Sequence, residues 1–328
     1  MPQKTLLTSE HSQVTVGIVT YNSAEHIERC LLSIADQLSE AIPTVVILDN
    51  ASTDQTVAVI NRVRKKFKFD IHILPQDRNH GYAWGINRIA EVAGTEWLCF
   101  LNPDAALLTP AYRHAREVVR KYPTSGAIGG ILFDRERNPQ ECGGVFPTPL
   151  MAVWDWCALR HIFPRGGWST QLIFDFPEDA NPIKVDYPTG AFWMLRREVF
   201  QRVGPFDEQF FLYFEETDFC KRAREKGWNA YIHPAIRIEH VKGASFDSSA
   251  KGSLPDPLII YFESLIRYLR KHYSPRQVGA AVWIIHNFLK ARKYLFKGEK
   301  SAHLLDVFEQ GLEKSGMQNP LHDCRGSV

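Results

Sequence analysis

The sequence predicts an α/β fold built on a mainly parallel sheet and followed by a helical extension. Over roughly the first 100 residues, short apolar runs alternate with stretches of helical periodicity, which is the order of a parallel sheet whose strands are joined by helices. Past Pro255 the strand pattern stops and amphipathic helices follow. Polar residues also stand at the C-terminal ends of strands, where open α/β sheets bind ligands.

The first half of the chain contains four predicted strands. Runs of apolar and β-branched residues define them: 14–20, 45–48, 71–74 and 97–101. Apolar residues three or four apart predict the connecting helices: 24–38, a helix ending near 63, and 82–92. Pro103 follows the fourth strand and ends it, because proline offers no backbone N–H to the ladder.

Polar side chains follow three of these strands. The pairs are Thr20 with Asn22, Asp49 with Asn50, and Asn102 with Asp104. Asn-Pro-Asp is ordinary turn chemistry, so a surface turn is the alternative for Asp104 taken alone. Three coincident clusters instead predict a ligand site at one edge of the sheet. The sequence has no Gly-X-Gly-X-X-Gly after its first strand and no Gly-Lys-Ser/Thr loop, which argues against a dinucleotide-dependent dehydrogenase and against a P-loop enzyme.

The second half is predicted to add strands and helices around two unusual segments. Strands are expected at 126–133, 185–195, 228–233 and 236–240, with helices over 109–122 and from 196. Residues 139–182 are irregular and rich in Gly, Pro and Trp, which suggests an aromatic sugar-binding cleft or, equally, a hydrophobic plug or dimer contact. Glu215, Glu216 and Asp218 open a helix after a run of aromatics. They either compensate the helix dipole or include a general base whose pKa is raised by burial.

Composition bounds the class of protein. The 328 residues carry a formal net charge of +2, which gives no nucleic-acid footprint. The six cysteines are scattered without a Cys-X-X-Cys pair, so a zinc site or disulfide framework is not expected and a reducing compartment is. The N-terminal residues lack an apolar signal core, and no run approaches the ~18 apolar residues of a membrane span. We therefore expect a cytoplasmic protein.

The C-terminal region is predicted to be helical and basic. Helices are expected over 256–271 and 275–296, with apolar stripes and many Lys and Arg residues. This region, 255–300, could lie on the inner face of an anionic cell membrane, cap the sheet, or form a homodimer. The predicted organisation is an N-terminal tail (1–13), a main domain (14–250), a helical extension (255–315) and a C-terminal tail (316–328).

Short motifs occur in a fixed order along residues 14–246. They are Val19-Thr20-Tyr21-Asn22, Asp49-Asn50-Ala51-Ser52-Thr53-Asp54, the stretch 78–87, Leu101-Asn102-Pro103-Asp104, Gly190-Ala191, Gly204-Pro205-Phe206-Asp207-Glu208, Tyr213-Phe214-Glu215-Glu216-Thr217-Asp218, and His240 with Ser245. In this order the chain resembles the family 2 inverting glycosyltransferases, and among them the rhamnosyltransferase-like members. The resemblance implies a GT-A fold with a nucleotide-binding half, 14–104, and an acceptor and catalytic half, 105–250.

The resemblance also implies roles for individual residues. The nucleotide site is expected to comprise Thr20, Asn22, Asp49, Asn79, Gly81, Asn87 and Asn102, with Asp49 accepting from the N3–H of the pyrimidine. Asp104, with His240, is expected to bind Mg²⁺ or Mn²⁺, which prefer oxygen ligands. Asn102 departs from the Asp-X-Asp motif of the family and leaves one fewer charge for the metal.

The expected general base is Glu216. The family has a Glu-Asp pair at this place, so Glu216 is a second departure, and Glu215 and Asp218 remain rivals. Three aromatic residues are expected on the acceptor side: Trp154, Trp156 and Trp193.

The implied activity is metal-dependent, inverting sugar transfer in the synthesis of cell-surface polysaccharide. The expected reaction moves rhamnose from dTDP-rhamnose to a glycan or lipid-linked acceptor. Alternatives are a UDP-hexose or UDP-galactofuranose transferase of the same fold, and a catalytically silent GT-A domain that serves as a scaffold. Uracil and thymine present the same N3–H, so Asp49 does not separate the donors.

Overall fold

The computed structural model describes residues 7, 12–157, 159, 171–173, 176–241, 255–296 and 298–317. The described residues form two compact units. The sheet unit comprises Met1–Gly144, Gln171–Gln209 and Glu215–Lys251, and the helical unit comprises Val145–Thr170, Phe210–Phe214 and Gly252–Val328. Ser245 and most residues of the two expected tails lie outside the described residues.

The sheet unit is built on one large mixed sheet. Its strands are β1 Val14–Thr20, β2 Thr44–Asp49, β3 Ile71–Pro75, β4 Trp97–Leu101, β5 Ala105–Leu107, β6 Ser125–Phe133, β9 Ile183–Val185, β11 Phe192–Arg196 and β12 Asn229–His240. A smaller antiparallel sheet contains β7 Glu141–Gly144, β8 Gln171–Ile173 and β10 Tyr187–Pro188. The helices of the unit are α1 Ile27–Gln37, α2 Thr56–Val63, α3 Tyr82–Val92, α4 Ala111–Lys121, α6 Arg197–Val203 and α7 Glu215–Glu225.

Strand order explains why the polar clusters meet. The order is β3-β2-β1-β4-β11-β6-β12-β5, with β9 paired to β12. The pairs β3–β2, β2–β1 and β1–β4 are parallel, so their C-terminal ends share one edge. All residues of β1, β2 and β4 are buried, as expected for parallel strands covered on both faces. The predicted α/β class and the mixed sheet are confirmed.

Two expected strands differ from the structure. Residues 228–233 and 236–240 form one strand, β12, whose register against β6 shifts between His233 and Arg237. Pro234 lies in this interval and has no N–H for the ladder, so the strand bulges there instead of ending. The expected strand 185–195 is divided among β9, β10 and β11, each with a different partner.

The helical unit contains α5 Pro149–Trp156, α8 Pro257–His272, α9 Pro275–Phe296 and α10 Glu299–Lys314. Its core is apolar and aromatic, and Phe262 packs edge-on against Phe308 with ring centroids 4.9 Å apart. Asp256 caps α8 by accepting from Leu258 N at 2.8 Å. Within the described ranges, no helix combines the length and the hydropathy that a bilayer-spanning segment requires.

Candidate functional site

The C-terminal ends of β1 and β2 place two buried oxygen atoms beside each other. Thr20 and Asp49 are register partners across the parallel pair, and both are buried. Asp49 Oδ2 accepts from Ser52 N at 3.1 Å, whereas Asp49 Oδ1 and Thr20 Oγ1 have no hydrogen-bond partner among the described residues. Because buried polar atoms are normally hydrogen-bonded, these two oxygens point to a ligand that supplies the missing partners.

The loops after β1 and β2 are tied together by side chains that also lie at this edge. Asn22 Oδ1 accepts from Thr53 N at 2.8 Å, and Ser52 Oγ accepts from Asn22 N at 2.9 Å. Asn22 and Ala51 both have left-handed backbone conformations, with φ of 50° and 62°. The side-chain oxygen of Asn22 therefore ties the loop after β1 to the loop after β2.

Asn79 and Gly81 form the turn that leads into α3. Asn79 Oδ1 accepts from Gly81 N at 3.0 Å, and Asn50 Nδ2 donates to Gly81 O at 3.2 Å. Gly81 has a φ of 91°, which favours glycine over any residue with a Cβ. These contacts fix the loop between β3 and α3 against the end of β2.

The structure places Asn87 away from any ligand-facing role. Asn87 Nδ2 donates to Phe206 O at 3.0 Å and to Glu208 Oε1 at 2.9 Å, and Asn87 Oδ1 accepts from Phe206 N at 2.9 Å. Both amide protons and the carbonyl are thus used inside the protein. The structure assigns Asn87 to the clamp that holds residues 206–208 against α3, and we do not include it in the nucleotide site.

We expect Asn87→Ala to lower the free energy of unfolding by about 2–4 kcal/mol, because it leaves the buried Phe206 amide and carbonyl without partners. Denaturant unfolding measures this. The control is Arg88→Ala, which removes a half-exposed ion pair of 3.0 Å to Glu208 and should cost no more than about 1 kcal/mol. Unchanged stability with weaker nucleotide binding would return Asn87 to the nucleotide site.

Asp104 lies in the turn between β4 and β5. Its carboxylate is buried, and burial raises the pKa of Asp104 to about 7. Asp104 Oδ1 has no hydrogen-bond partner in the part of the chain that the structure describes, and His240 Nε2 lies 3.6 Å from it. The half-buried Asn102 is held in the same turn, where Asn102 N donates to Ala191 O at 3.0 Å.

Gln140, which was not among the residues predicted from the sequence, determines which ring nitrogen of His240 carries a proton. Gln140 Nε2 donates to His240 O at 3.1 Å, so Gln140 Oε1 faces His240 Nδ1 at 3.3 Å as an acceptor. When neutral, His240 then carries its proton on Nδ1, and its Nε2 is the ring nitrogen that faces Asp104. An unpaired carboxylate oxygen beside an imidazole lone pair fits a divalent cation such as Mn²⁺, with two protein ligands and open positions for others.

A second cluster of metal-binding residue types does not fit a cation. His114, Glu117 and His233 bring ligand atoms within 4.8 Å of one another. However, His233 Nδ1 accepts from Ala235 N at 3.1 Å, so the neutral ring carries its proton on Nε2, the atom that faces Glu117. Burial and then the neighbouring His114 lower the pKa of His233 to about 4, which keeps this ring neutral. The cluster is a contact between α4 and β12, in which the His114 and His233 ring centroids lie 5.0 Å apart.

The two glutamates expected to include the base begin α7. Glu215 is buried and Glu216 half-buried, and each has one carboxylate oxygen without a hydrogen-bond partner among the residues that are described. Burial raises the pKa of Glu216 to about 7, although the backbone N–H groups of Thr217 and Gly190 oppose that rise. Burial and then the charge of Glu216 raise the pKa of Glu215 further. A half-buried carboxylate that titrates near neutral pH suits proton transfer, which favours Glu216 over its neighbour.

Asp218, the other rival, is engaged in a structural ion pair. It is fully buried, and Arg222 Nε donates to its Oδ2 at 2.8 Å. Arg222 also donates to Val203 O and Pro205 O. Asp218 therefore orients the arginine that holds α7 to the segment after α6.

Tyr82 lies near the carboxylates of Asp104 and Glu216, and the sequence analysis did not single it out. Its hydroxyl donates to Gly190 O at 3.3 Å. Burial raises the pKa of Tyr82 first, followed by the charges of Glu215, Glu216 and Asp104. All three carboxylates therefore lie near enough to this one hydroxyl for their charges to act on it.

The tryptophans expected on the acceptor side occupy different places. Trp193 is fully buried among Phe100, Phe206 and Phe219, at centroid distances of 5.3–5.5 Å. The structure therefore assigns Trp193 to the core of the sheet unit, and we do not retain it as an acceptor residue. Trp156 packs against Phe262 at 4.3 Å in the core of the helical unit, and Trp154 is half-buried on the same helix, α5.

Comparison with known proteins gives consistent matches. The family model described as Glycosyl transferase family 2 matches residues 15–204. N-acetylglucosaminyl-diphospho-decaprenol L-rhamnosyltransferase of Mycobacterium tuberculosis is 28% identical over 292 residues, 85% of this chain and 91% of that protein. The dTDP-rhamnosyl transferase RfbF of Shigella flexneri is 23% identical, over 74% of this chain and 72% of that protein.

A solved structure shares the fold. The mannosyltransferase PcManGT from Pyrobaculum calidifontis, in complex with GDP-Man and Mn²⁺, has a TM-score of 0.52 at 16% identity. The match covers 99% of this chain and 89% of that one.

Proposed function

This chain belongs to glycosyl transferase family 2 and has the GT-A fold, and from that membership we propose that it transfers rhamnose from dTDP-rhamnose to a sugar carried on a lipid diphosphate. The names of the two rhamnosyltransferase relatives support the donor and the acceptor. The observation that carries the proposal is a set of unpartnered carboxylate oxygens in the sheet unit, on Asp49, Asp104 and Glu216.

Asp49 is proposed to bind the base of the nucleotide. Its Oδ2 is held by Ser52, so the unpartnered Oδ1 is fixed in direction and ready to accept from the N3–H of thymine. Thr20 Oγ1 lies at the same register position of the neighbouring strand and offers a further hydrogen bond. This arrangement suits a pyrimidine base, and the sugar of the donor must be recognised by other contacts.

Asp104 and His240 are proposed to hold the divalent ion. When bound, the ion stabilises the negative charge that gathers on the departing nucleoside diphosphate. Gln140 keeps the proton of the neutral imidazole on Nδ1, and the neutral Asn102 adds no charge to the pair. The protein therefore supplies a single carboxylate, so ion binding should depend strongly on the diphosphate of the donor.

Glu216 is proposed to act as the general base. The acceptor hydroxyl loses its proton to the Glu216 carboxylate as its oxygen attacks the anomeric carbon from the side opposite the diphosphate. The new glycosidic bond forms as the bond to the diphosphate breaks, and the anomeric centre is inverted without a covalent intermediate. The Gly190 N–H stabilises the ionised form of Glu216. The Tyr82 hydroxyl holds Gly190 in place by donating to the Gly190 carbonyl oxygen.

The pKa of Glu216 predicts the pH dependence. A base must be ionised, and burial raises the pKa of Glu216 to about 7. At saturating Mn²⁺ we therefore expect kcat/KM to fall about tenfold per pH unit below roughly pH 7 and to level off above it. A pH-rate profile between about pH 5.5 and 8.5 measures this. A profile that is flat across this whole range would contradict the assignment.

Ligand-dependent stability and turnover test the donor and the acceptor. With Mn²⁺ present, dTDP and dTDP-rhamnose should raise the melting temperature, with a stabilisation of about 2.7 kcal/mol at a free concentration 100 times Kd. Asp49→Ala should lose this effect. Transfer to a lipid-diphosphate-linked N-acetylglucosamine is then followed by mass spectrometry. Stabilisation by GDP compounds alone would overturn the assignment of a pyrimidine base. Turnover only with UDP-sugars would overturn dTDP-rhamnose as the donor. Binding without any turnover would favour the catalytically silent scaffold.

A further inference from the structure

We propose that the exposed face of α9 binds the surface of a membrane that contains anionic lipids. We call this set of residues the α9 face; it comprises Arg276, Ala280, Trp283, Ile284, Asn287, Lys290, Ala291, Tyr294 and Leu295, all of which are exposed. The choice of a lipid surface as the partner rests on the proposed function, in which the acceptor is carried on a lipid.

The α9 face is apolar where a helix of a soluble protein is usually polar. Its large side chains, together with Phe296 at the end of the helix, are exposed to the following extents: Trp283 45%, Ile284 42%, Tyr294 78%, Leu295 71% and Phe296 73%. Trp283 and Tyr294 are 11 positions apart, close to three helical turns, so they point in nearly the same direction. The opposite side of α9, including Val282 and Ile285, is buried in the core of the helical unit.

The charge of α9 complements an anionic surface. Its 22 residues include no Asp or Glu and four fixed cations: Arg276, Lys290, Arg292 and Lys293. None of the four forms an ion pair with a carboxylate of the described residues. His286 is not counted with them, because its Nε2 lies 2.8 Å from Glu309. Basic residues beside exposed Trp, Tyr, Leu and Phe are the composition of helices that lie in the headgroup region.

The same charge disfavours contact with a second copy of the chain. A two-fold contact through the α9 face would bring Arg276 and Lys290 of both copies to the interface, with no carboxylate of α9 to pair them. Like charges opposed at an interface destabilise it. At a membrane surface, in contrast, the aromatic rings enter the interfacial region while Lys and Arg extend toward lipid phosphates. The combination of exposed apolar area and unpaired cations therefore selects the lipid surface.

Vesicle flotation of the full-length protein tests this proposal. The wild-type protein should float with vesicles of phosphatidylcholine and phosphatidylglycerol, float much less with phosphatidylcholine alone, and lose binding as salt is raised. Two triple variants probe the α9 region, Y294S/L295S/F296S and K290E/R292E/K293E. Each should weaken partitioning into anionic vesicles, the charge variant on the order of 100-fold. Matched controls in the sheet unit, L32S/I42S and R64E/K65E/K68E, should float like the wild type.

The outcomes separate this proposal from the proposed function. Flotation needs no donor or acceptor, and both α9 variants should retain wild-type turnover of a soluble short-chain acceptor analogue. Absence of wild-type flotation, or wild-type flotation by both α9 variants, would overturn the membrane assignment. A dimer in sedimentation that the α9 variants abolish would make a second copy the occupant instead. Vesicle binding without rhamnosyl transfer would retain the α9 assignment and overturn the proposed donor and acceptor.

Discussion

Glu216→Gln is expected to lower kcat by about 10²–10⁴-fold while the affinity for dTDP stays near that of the wild type. The amide has the size of the carboxylate but cannot take a proton from the acceptor. Glu216 is half-buried at the start of α7, whereas Thr20 and Asp49 end β1 and β2, so nucleotide binding should be unaffected. Steady-state kinetics with saturating donor, together with calorimetric titration of dTDP, measures both quantities.

Two control variants distinguish Glu216 from its rivals. Glu215→Gln replaces a buried carboxyl group whose raised pKa keeps it protonated near neutral pH, so it should leave the pH-rate profile close to that of the wild type. Asp218→Asn weakens the ion pair with Arg222 and should mainly lower the stability of the protein. If Glu215→Gln removes turnover while Glu216→Gln retains it, the role of base moves to Glu215.

Features that depend on neighbouring residues in sequence could be predicted. The buried strands β1, β2 and β4 are continuous apolar runs, and the carboxylates that follow them are fixed at the sheet edge by the strands themselves. Parallel pairing then brings Thr20 and Asp49 into register. The position of these side chains follows from local pattern plus one topological rule, and for that reason the sequence sufficed.

Features that depend on distant partners could not be predicted. Asn87 is the last residue of the stretch 78–87, which the family resemblance assigned to the nucleotide site. Its three hydrogen bonds go to residues about 120 positions away, and no local sequence pattern encodes contacts over that distance. Tyr82 was missed for the same reason, because its partner is Gly190. Trp193 lies in a strand that pairs with β4, and only this pairing reveals that its ring faces the core.

Asp104→Asn is expected to reduce metal-dependent turnover by at least about 100-fold while the protein remains folded. Asp104 is the one charged residue of the Asn102-Pro103-Asp104 turn, and its Oδ1 lacks a hydrogen-bond partner among the described residues. The variant keeps the shape of the side chain and removes a carboxyl group whose charged form is disfavoured by burial. Its thermal stability in the presence of a chelator should therefore equal or exceed that of the wild type at neutral pH.

Mn²⁺ binding provides the decisive measurement for this variant, because it does not depend on turnover. Titration followed by electron paramagnetic resonance should show weak Mn²⁺ binding by the wild-type protein alone and tighter binding with dTDP, since the protein supplies one carboxylate and one imidazole. Asp104→Asn should remove the tighter binding, and His240→Ala should weaken it less, because a neutral ligand contributes less than a charged one to holding a cation. Mn²⁺ binding by Asp104→Asn that matches the wild type would place the ion elsewhere and leave the raised pKa of Asp104 without a role in catalysis.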